Sequence, residues 1–195
     1  MKSYLSSKVK IAVDHHKTHR KFADISVVDI EVSACAEIIY RLLKAMGLMT
    51  KDIAELLFAG IITDSGCFQF PSVTSSTHTI ASELMGYGFD AGKVIYNVFK
   101  KVTKNKFMLE NRILTKCKFF DDNQIAIITF LENDFKETGT SLNDTLGTIV
   151  KVIDIDTVKV AYAISEASPK SYKIMIRTKE SDDASDIARE FGGGG

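Results

Sequence analysis

Short unbroken apolar runs alternate along the chain with longer stretches whose apolar residues recur every three or four positions. Buried parallel strands and amphipathic helices produce that mixture together. Residues 9–13 form a short apolar run, β-branched at Val9, Ile11 and Val13, that ends in the polar cluster Asp14, His15, His16. The run predicts a strand covered on both faces, with polar groups at its carboxyl end. In residues 32–46 the apolar positions Ile38, Ile39, Leu42, Leu43 and Met46 fall at helical spacing, and Gly47 follows as a stop. A second helix is predicted from Lys51, with Thr50 as its N-cap, through Ile53, Leu56, Leu57 and Ile61, and it delivers the chain to Thr63, Asp64, Ser65, Gly66. Residues 74–85 and 90–99 read as two further helices, with Asp90 capping the latter and Gly86 and Gly88 between them. The first unit ends near residue 102.

Beyond it the texture changes. Residues 103–118 predict a connecting helix, and around it Lys100, Lys101, Lys104, Lys106, Arg112, Lys116 and Lys118 stand against the single acid Glu110. The stretch reads as a solvated helix face or as a rim that attracts phosphate. Asp121, Asp122 and Asn123 mark a turn, after which residues 125–130, 158–164 and 172–177 are strand candidates around a helix near residues 142–150. A last helix over residues 183–191 runs into Gly192, Gly193, Gly194 and Gly195. The expected architecture is two α/β units joined by a helix.

Composition narrows the chemistry. The 195 residues carry 25 basic and 25 acidic side chains, so no global field recruits nucleic acid or an anionic membrane, and any ligand is held locally. At 45 % apolar residues and two prolines the chain has the material for a core and no long disordered tract. Its longest apolar run, residues 56–62, is far short of the ~18–20 residues that span a bilayer. No secretory signal opens the sequence, which sets the cytoplasm as the expected location. Cys35, Cys67 and Cys117 are odd in number and widely spaced, which argues against a disulfide framework and a thiolate zinc site; all three are expected to be reduced core thiols.

Two clusters remain that could carry chemistry. Asp14, His15 and His16 at a strand end offer the carboxylate and imidazole donors that divalent metals take, or they make a polar surface turn. Successive side chains of an extended backbone alternate faces, so at most one imidazole and the carboxylate can share an ion, and further ligands must come from elsewhere. Asp64, between an apolar approach and Gly66, can serve as a metal ligand, an N-cap or a turn former.

Together these segments resemble the DHH phosphoesterase family. The resemblance rests on Val13-Asp14-His15-His16, on Gly60-Ile61-Ile62-Thr63-Asp64-Ser65-Gly66 followed by Phe68 and Phe70, and on Arg177 with a closing glycine run after an amphipathic helix. It covers essentially the whole chain and lies nearest the bacterial and archaeal enzymes that degrade very short RNA and dephosphorylate adenosine 3′,5′-bisphosphate. It implies an α/β fold: a parallel-sheet catalytic domain, incomplete here, in residues 1–102, a joining helix in 103–118, and in 119–195 a smaller DHH-associated domain with a mixed sheet that closes over a cleft. It further implies that His15 and Asp64 are ligands of two divalent metal ions, usually manganese, with magnesium or cobalt as alternatives. Asp14 then orients the site, and His16 lies near the scissile phosphate. Arg177 would offer a planar fork to a phosphate or base, and the backbone N–H groups of Gly193 and Gly194 would approach a nucleotide. Read from its residues alone, Arg177 is an exposed strand position before it is a ligand contact.

The family also carries eighty or more residues before the DHH motif, with further metal ligands, and a His after the glycine run. By that comparison the chain corresponds to a central and C-terminal piece. Two protein donors for two ions imply weak metal binding, and residues 1–102 by themselves are expected to be unstable or to associate. The expected partners are short oligonucleotides or nucleotides such as adenosine 3′,5′-bisphosphate, with a homodimer suggested by relatives and no membrane. Competing expectations are a non-catalytic remnant that binds nucleotides weakly or not at all, a cyclic- or linear-dinucleotide phosphodiesterase, and an inorganic pyrophosphatase of the same superfamily. A RecJ-like exonuclease is disfavoured, because no added domain with stacking aromatics is recognisable and tryptophan is absent.

Overall fold

In a computed structural model of the chain, which describes residues 6–16, 19–168, 170–179 and 184–193, the first apolar run becomes strand β1, Ile11–Asp14. It pairs in parallel with β2, Ile25–Val28, in a register that sets Asp14 beside Val28. The sequence pattern did not announce β2, because four residues are too few to show a period. Nor is β1 covered on both faces: Ala12 is buried, but Ile11 is 61 % exposed and Val27 and Val28 are exposed on the neighbouring strand. Apolar strand surface of this kind can pair with or pack against another chain.

Three helices build the core of this unit, which spans residues 1–101. Helix α1, Cys35–Ala45, packs on α2, Lys51–Asp64, and α2 packs on α3, Ser75–Met85. Thr50 caps α2 by accepting from the Ile53 N–H, as the sequence predicts, and Thr74 caps α3 by accepting from that of Thr77. Phe58, Ile61 and Ile62 of α2 pack with Ile80 and Leu84 of α3 in one cluster, which Phe89 and Val94 complete. The helix expected over residues 90–99 divides: Asp90 caps α4, Ala91–Ile95, and the next turn, Tyr96–Lys100, widens to a π-helical turn closed by Lys101 N–H donating to the Tyr96 carbonyl.

The second unit, residues 102–195, has its own core. Helix α5, Lys104–Leu114, lays Leu109 and Ile113 into it. Strands β3 (Lys118–Phe120), β4 (Ile125–Phe130), β5 (Val160–Ser168) and β6 (Ser171–Thr178) form a mixed sheet in that order, with β4 and β5 parallel and the outer pairs antiparallel. Asp121, Asp122 and Asn123 make the β3–β4 turn with φ of 51, 49 and 67°, the left-handed region that Asp and Asn tolerate best after glycine. Ala126, Ile128 and Phe130 of β4 and Ala161 and Ala163 of β5 point to one face, where α5 and α7, Thr148–Ile153, cover them. A short helix the sequence did not reveal, α6 (Glu132–Thr138), places the buried Asp134 carboxylate against Arg112 Nε at 2.6 Å and Lys116 Nζ at 2.8 Å. Arg112, Lys116, and Lys106 on the Leu146 carbonyl are therefore engaged within the fold, which removes them from a phosphate-attracting rim. Helix α8, Ala184–Glu190, follows the sheet.

The three cysteines are free thiols, but half-buried rather than core residues; Cys117 packs at the margin of the second cluster. Among the described residues no helix is long and apolar enough to cross a membrane.

Candidate functional site

At the carboxyl end of β1 the chain turns around Asp14. Its Oδ1 accepts from the backbone N–H of His15 (2.8 Å), the backbone N–H of His16 (3.1 Å) and His16 Nδ1 (2.6 Å), while Oδ2 accepts from His19 Nδ1 at 2.6 Å. A carboxylate only accepts, so both imidazoles carry a hydrogen on Nδ1 and hold Nε2 as the free base when neutral. Both oxygens of Asp14 are thus engaged, Oδ1 by His16 and the backbone of the turn and Oδ2 by His19. His19 went unnoticed in the sequence, although a third histidine five positions after the acid was the available signal. Its side chain is 11 % exposed, beside Phe22, whereas that of His16 is 68 % exposed and faces solvent.

The hydrogen bonds from His16, then His19, then the backbone hold the Asp14 carboxyl far below the ordinary carboxylate range. The folded protein therefore keeps this charge at pH values where the unfolded chain, with an Asp pKa of about 3.9, has lost it. The stabilisation is complete above roughly pH 4 and fades as the pH falls below it. Asp14→Asn is expected to cost stability at pH 7 and progressively less toward pH 2, measured as melting temperature against pH beside the parent protein.

His15 leaves this cluster and faces α2. Its Nδ1 lies 3.5 Å from the Val32 carbonyl, which can only accept, so the hydrogen again sits on Nδ1 and the Nε2 lone pair faces Asp64 Oδ2 at 3.7 Å. Asp64 reaches this position as the last residue of α2, where the negative end of the helix dipole also favours a cation. The loop beyond it is tightly built. Ser65, fully buried, accepts from the Phe68 N–H, and Gly66, Cys67 and Phe68 all have φ between 57 and 67°. A Cβ on Gly66 would stand 2.6 Å from the Phe70 ring, so any other residue there would have to displace that ring as well as bear the backbone strain. The Phe68 ring stacks on His78 and packs against Phe58, which anchors the loop to the core.

With the hydrogen on Nδ1, Nε2 and Oδ2 present two lone-pair donors to the space between them, which a proton or a metal cation can fill, and metal–ligand bonds of about 2.0–2.2 Å are compatible with the 3.7 Å span. The pair fits one edge of a metal site. It is not a whole one: among the described residues no group of three or more His, Cys, Asp or Glu is arranged to hold an ion. Cys35 is nearby, its Sγ 3.7 Å from the Val13 carbonyl, but burial and then Asp14 and Asp64 push its thiol up, which disfavours the thiolate a metal would need.

In the second unit the sheet face away from the core carries Tyr162, Ile164, Tyr172, Ile174 and Ile176. With Ala188, Phe191, Gly192 and Gly193 they line a cavity of about 580 Å³. Gly193 is anchored there by its N–H donating to the Ala188 carbonyl. Arg177 pairs with the buried Ala161, so strand alternation directs it to the opposite face from Ile174 and Ile176; it is exposed and donates to the Ile176 carbonyl. The cavity brings in Gly193 without Arg177. Gly194 lies outside the described residues.

No family model matches the chain. It is 30 % identical over 197 residues to a probable bifunctional oligoribonuclease and PAP phosphatase, NrnA, of Streptococcus mutans, a match covering 98 % of this chain and 61 % of that protein. The bifunctional oligoribonuclease and PAP phosphatase NrnA of Bacillus subtilis matches at 27 % identity with the same coverage. Among solved structures, an exopolyphosphatase-related protein from Bacteroides fragilis superposes with a TM-score of 0.88 at 26 % identity, over 95 % of this chain and 55 % of that one. The chain thus spans little more than half the length of the proteins it resembles.

Proposed function

The chain belongs to the DHH phosphoesterases, and we propose that it acts in the divalent-metal-dependent hydrolysis of phosphodiester and phosphomonoester bonds, on short oligoribonucleotides and on adenosine 3′,5′-bisphosphate. The observation that carries this reading is the meeting of the His15 Nε2 lone pair with the Asp64 carboxylate. These two would hold the metal, for which manganese is the first choice and a two-ion site the expected form. A divalent cation bound there supplies Lewis acidity toward a phosphoryl oxygen and acidifies water. Around it the chain's own groups have separable tasks. Asp14 fixes the His16 ring through Nδ1, which leaves the exposed Nε2 free to exchange a proton with a leaving oxygen or to hydrogen-bond to a phosphoryl oxygen. Arg177 and the Gly193–Gly194 backbone are proposed as substrate contacts, Gly193 by close approach rather than through its N–H, which the Ala188 carbonyl already accepts; because Arg177 and Gly193 lie on different faces of the sheet, they would engage different parts of a ligand.

One observation favours a second reading, a nucleotide-binding or inert remnant: His15 and Asp64 supply two donors, whereas manganese prefers about six. The purified chain should be given a dinucleotide and, separately, adenosine 3′,5′-bisphosphate with manganese, with and without chelator. Chelator-sensitive release of mononucleotide and of phosphate is expected. Absence of release at every manganese concentration would establish the second reading for this chain.

A further inference from the structure

Behind the metal edge lies a carboxylate that the hydrolysis does not use. Glu37, in the first turn of α1, has no exposed surface. A buried carboxylate persists only when hydrogen-bonded, and Glu37 is bonded unevenly. Its Oε1 accepts from the Ser33 N–H (3.0 Å), the Ser33 hydroxyl (2.6 Å) and the Thr77 hydroxyl of α3 (3.0 Å), while Oε2 is buried with no partner. Thr77 is itself locked, since it and Thr74 cap α3 reciprocally. Glu37 therefore clamps the β2–α1 turn to the start of α3 through one oxygen, at the cost of leaving the other buried and unsatisfied.

The clamped turn is the one that supports His15. Val32, directly before Ser33, presents the carbonyl that faces His15 Nδ1, and Cys35 meets the Val13 carbonyl on the other side of the same turn. We propose that Glu37 is a positioning residue of the site: by holding Ser33 it fixes the Val32 carbonyl, which keeps the His15 hydrogen on Nδ1 and leaves Nε2 as the free base toward Asp64. Outer partners of this kind set the tautomer and aim of a ligating histidine. A role confined to core packing differs in consequence, since it would alter stability and leave His15 as it is.

The inference rests on reading His15 and Asp64 as metal donors, but its first test needs no metal. In the 15N-labelled chain, without metal and at a pH where imidazoles are neutral, long-range 1H–15N correlation reports which ring nitrogen of His15 carries the hydrogen. The parent protein should show Nδ1–H, and Glu37→Ala should shift His15 toward Nε2–H. Glu37→Gln, whose amide oxygen can still accept from Ser33 and Thr77, should restore the parent spectrum. Manganese affinity, followed by the EPR signal of the free ion, should fall about 10- to 100-fold in Glu37→Ala and recover in Glu37→Gln. If Glu37→Ala does not fold, Ser33→Ala and Thr77→Val each remove one donor and should give intermediate shifts. An unchanged His15 tautomer in folded Glu37→Ala, or in both single-donor variants, overturns the proposal. A parent protein that binds no manganese yet shows the tautomer shift overturns the metal reading and sustains the positioning role.

Discussion

Asp64→Ala and His15→Ala should each weaken manganese binding at least ~100-fold, because loss of a direct donor should exceed the 10- to 100-fold cost of losing a ligand's outer partner. The two side chains approach to 3.7 Å and each would supply one of two protein donors, so either change removes half the protein's hold on the ion. Hydrolysis of a dinucleotide should fall with it. His16→Ala should behave differently. Its ring is directed to Asp14 and solvent, so manganese affinity should stay within a few-fold of the parent, while turnover drops by the roughly 10²- to 10⁴-fold that a positioned acid–base group contributes. Titration of manganese by EPR and a dinucleotide assay on the three variants separate the roles. Equal loss of binding in all three would contradict the division of labour between the neighbouring histidines.

That division was only half legible in the sequence. Alternation along an extended strand already said that His15 and His16 could not serve one ion together, and the structure turns one toward Asp64 and the other toward Asp14. The helix from Lys51 to Asp64 was legible because its apolar period and Thr50 cap agree, and a helix with fixed ends places its last residue. His19 and Glu37 were not. One joins Asp14 from a turn with no period, and the other depends on Thr77, forty positions away. Strand β2 and helix α6 are too short for periodicity to register, and the half-buried state of the thiols depends on tertiary packing that residue type alone does not announce. The parity that separates Arg177 from the Gly193 cavity follows from strand register, which pairing with β5 decides.

Phe58→Ala should cost about 3–5 kcal/mol in chemical denaturation, the range for deleting a buried aromatic ring. Phe58 is 2 % exposed at the centre of the first core and meets Phe89 at 5.2 Å and Phe68 at 6.5 Å between ring centroids. Leu56→Ala, on the same helix but 73 % exposed, should change stability by no more than about 0.5 kcal/mol. The larger effect reaches the site by a specific route. Phe68 belongs to the loop that follows Asp64 and holds an unfavourable left-handed conformation, which persists only while its surroundings enforce it. Removing the ring beneath it should let that loop relax and lower manganese affinity in protein that is still folded. Leu84→Ala supplies the control, since it opens a cavity at a fully buried position of the same cluster on α3, away from that loop. Comparable destabilisation with manganese affinity retained in Leu84→Ala, and lost in Phe58→Ala, would show that the Phe58–Phe68 contact holds Asp64 in place. Equal loss in both would assign the effect to general loosening of the core.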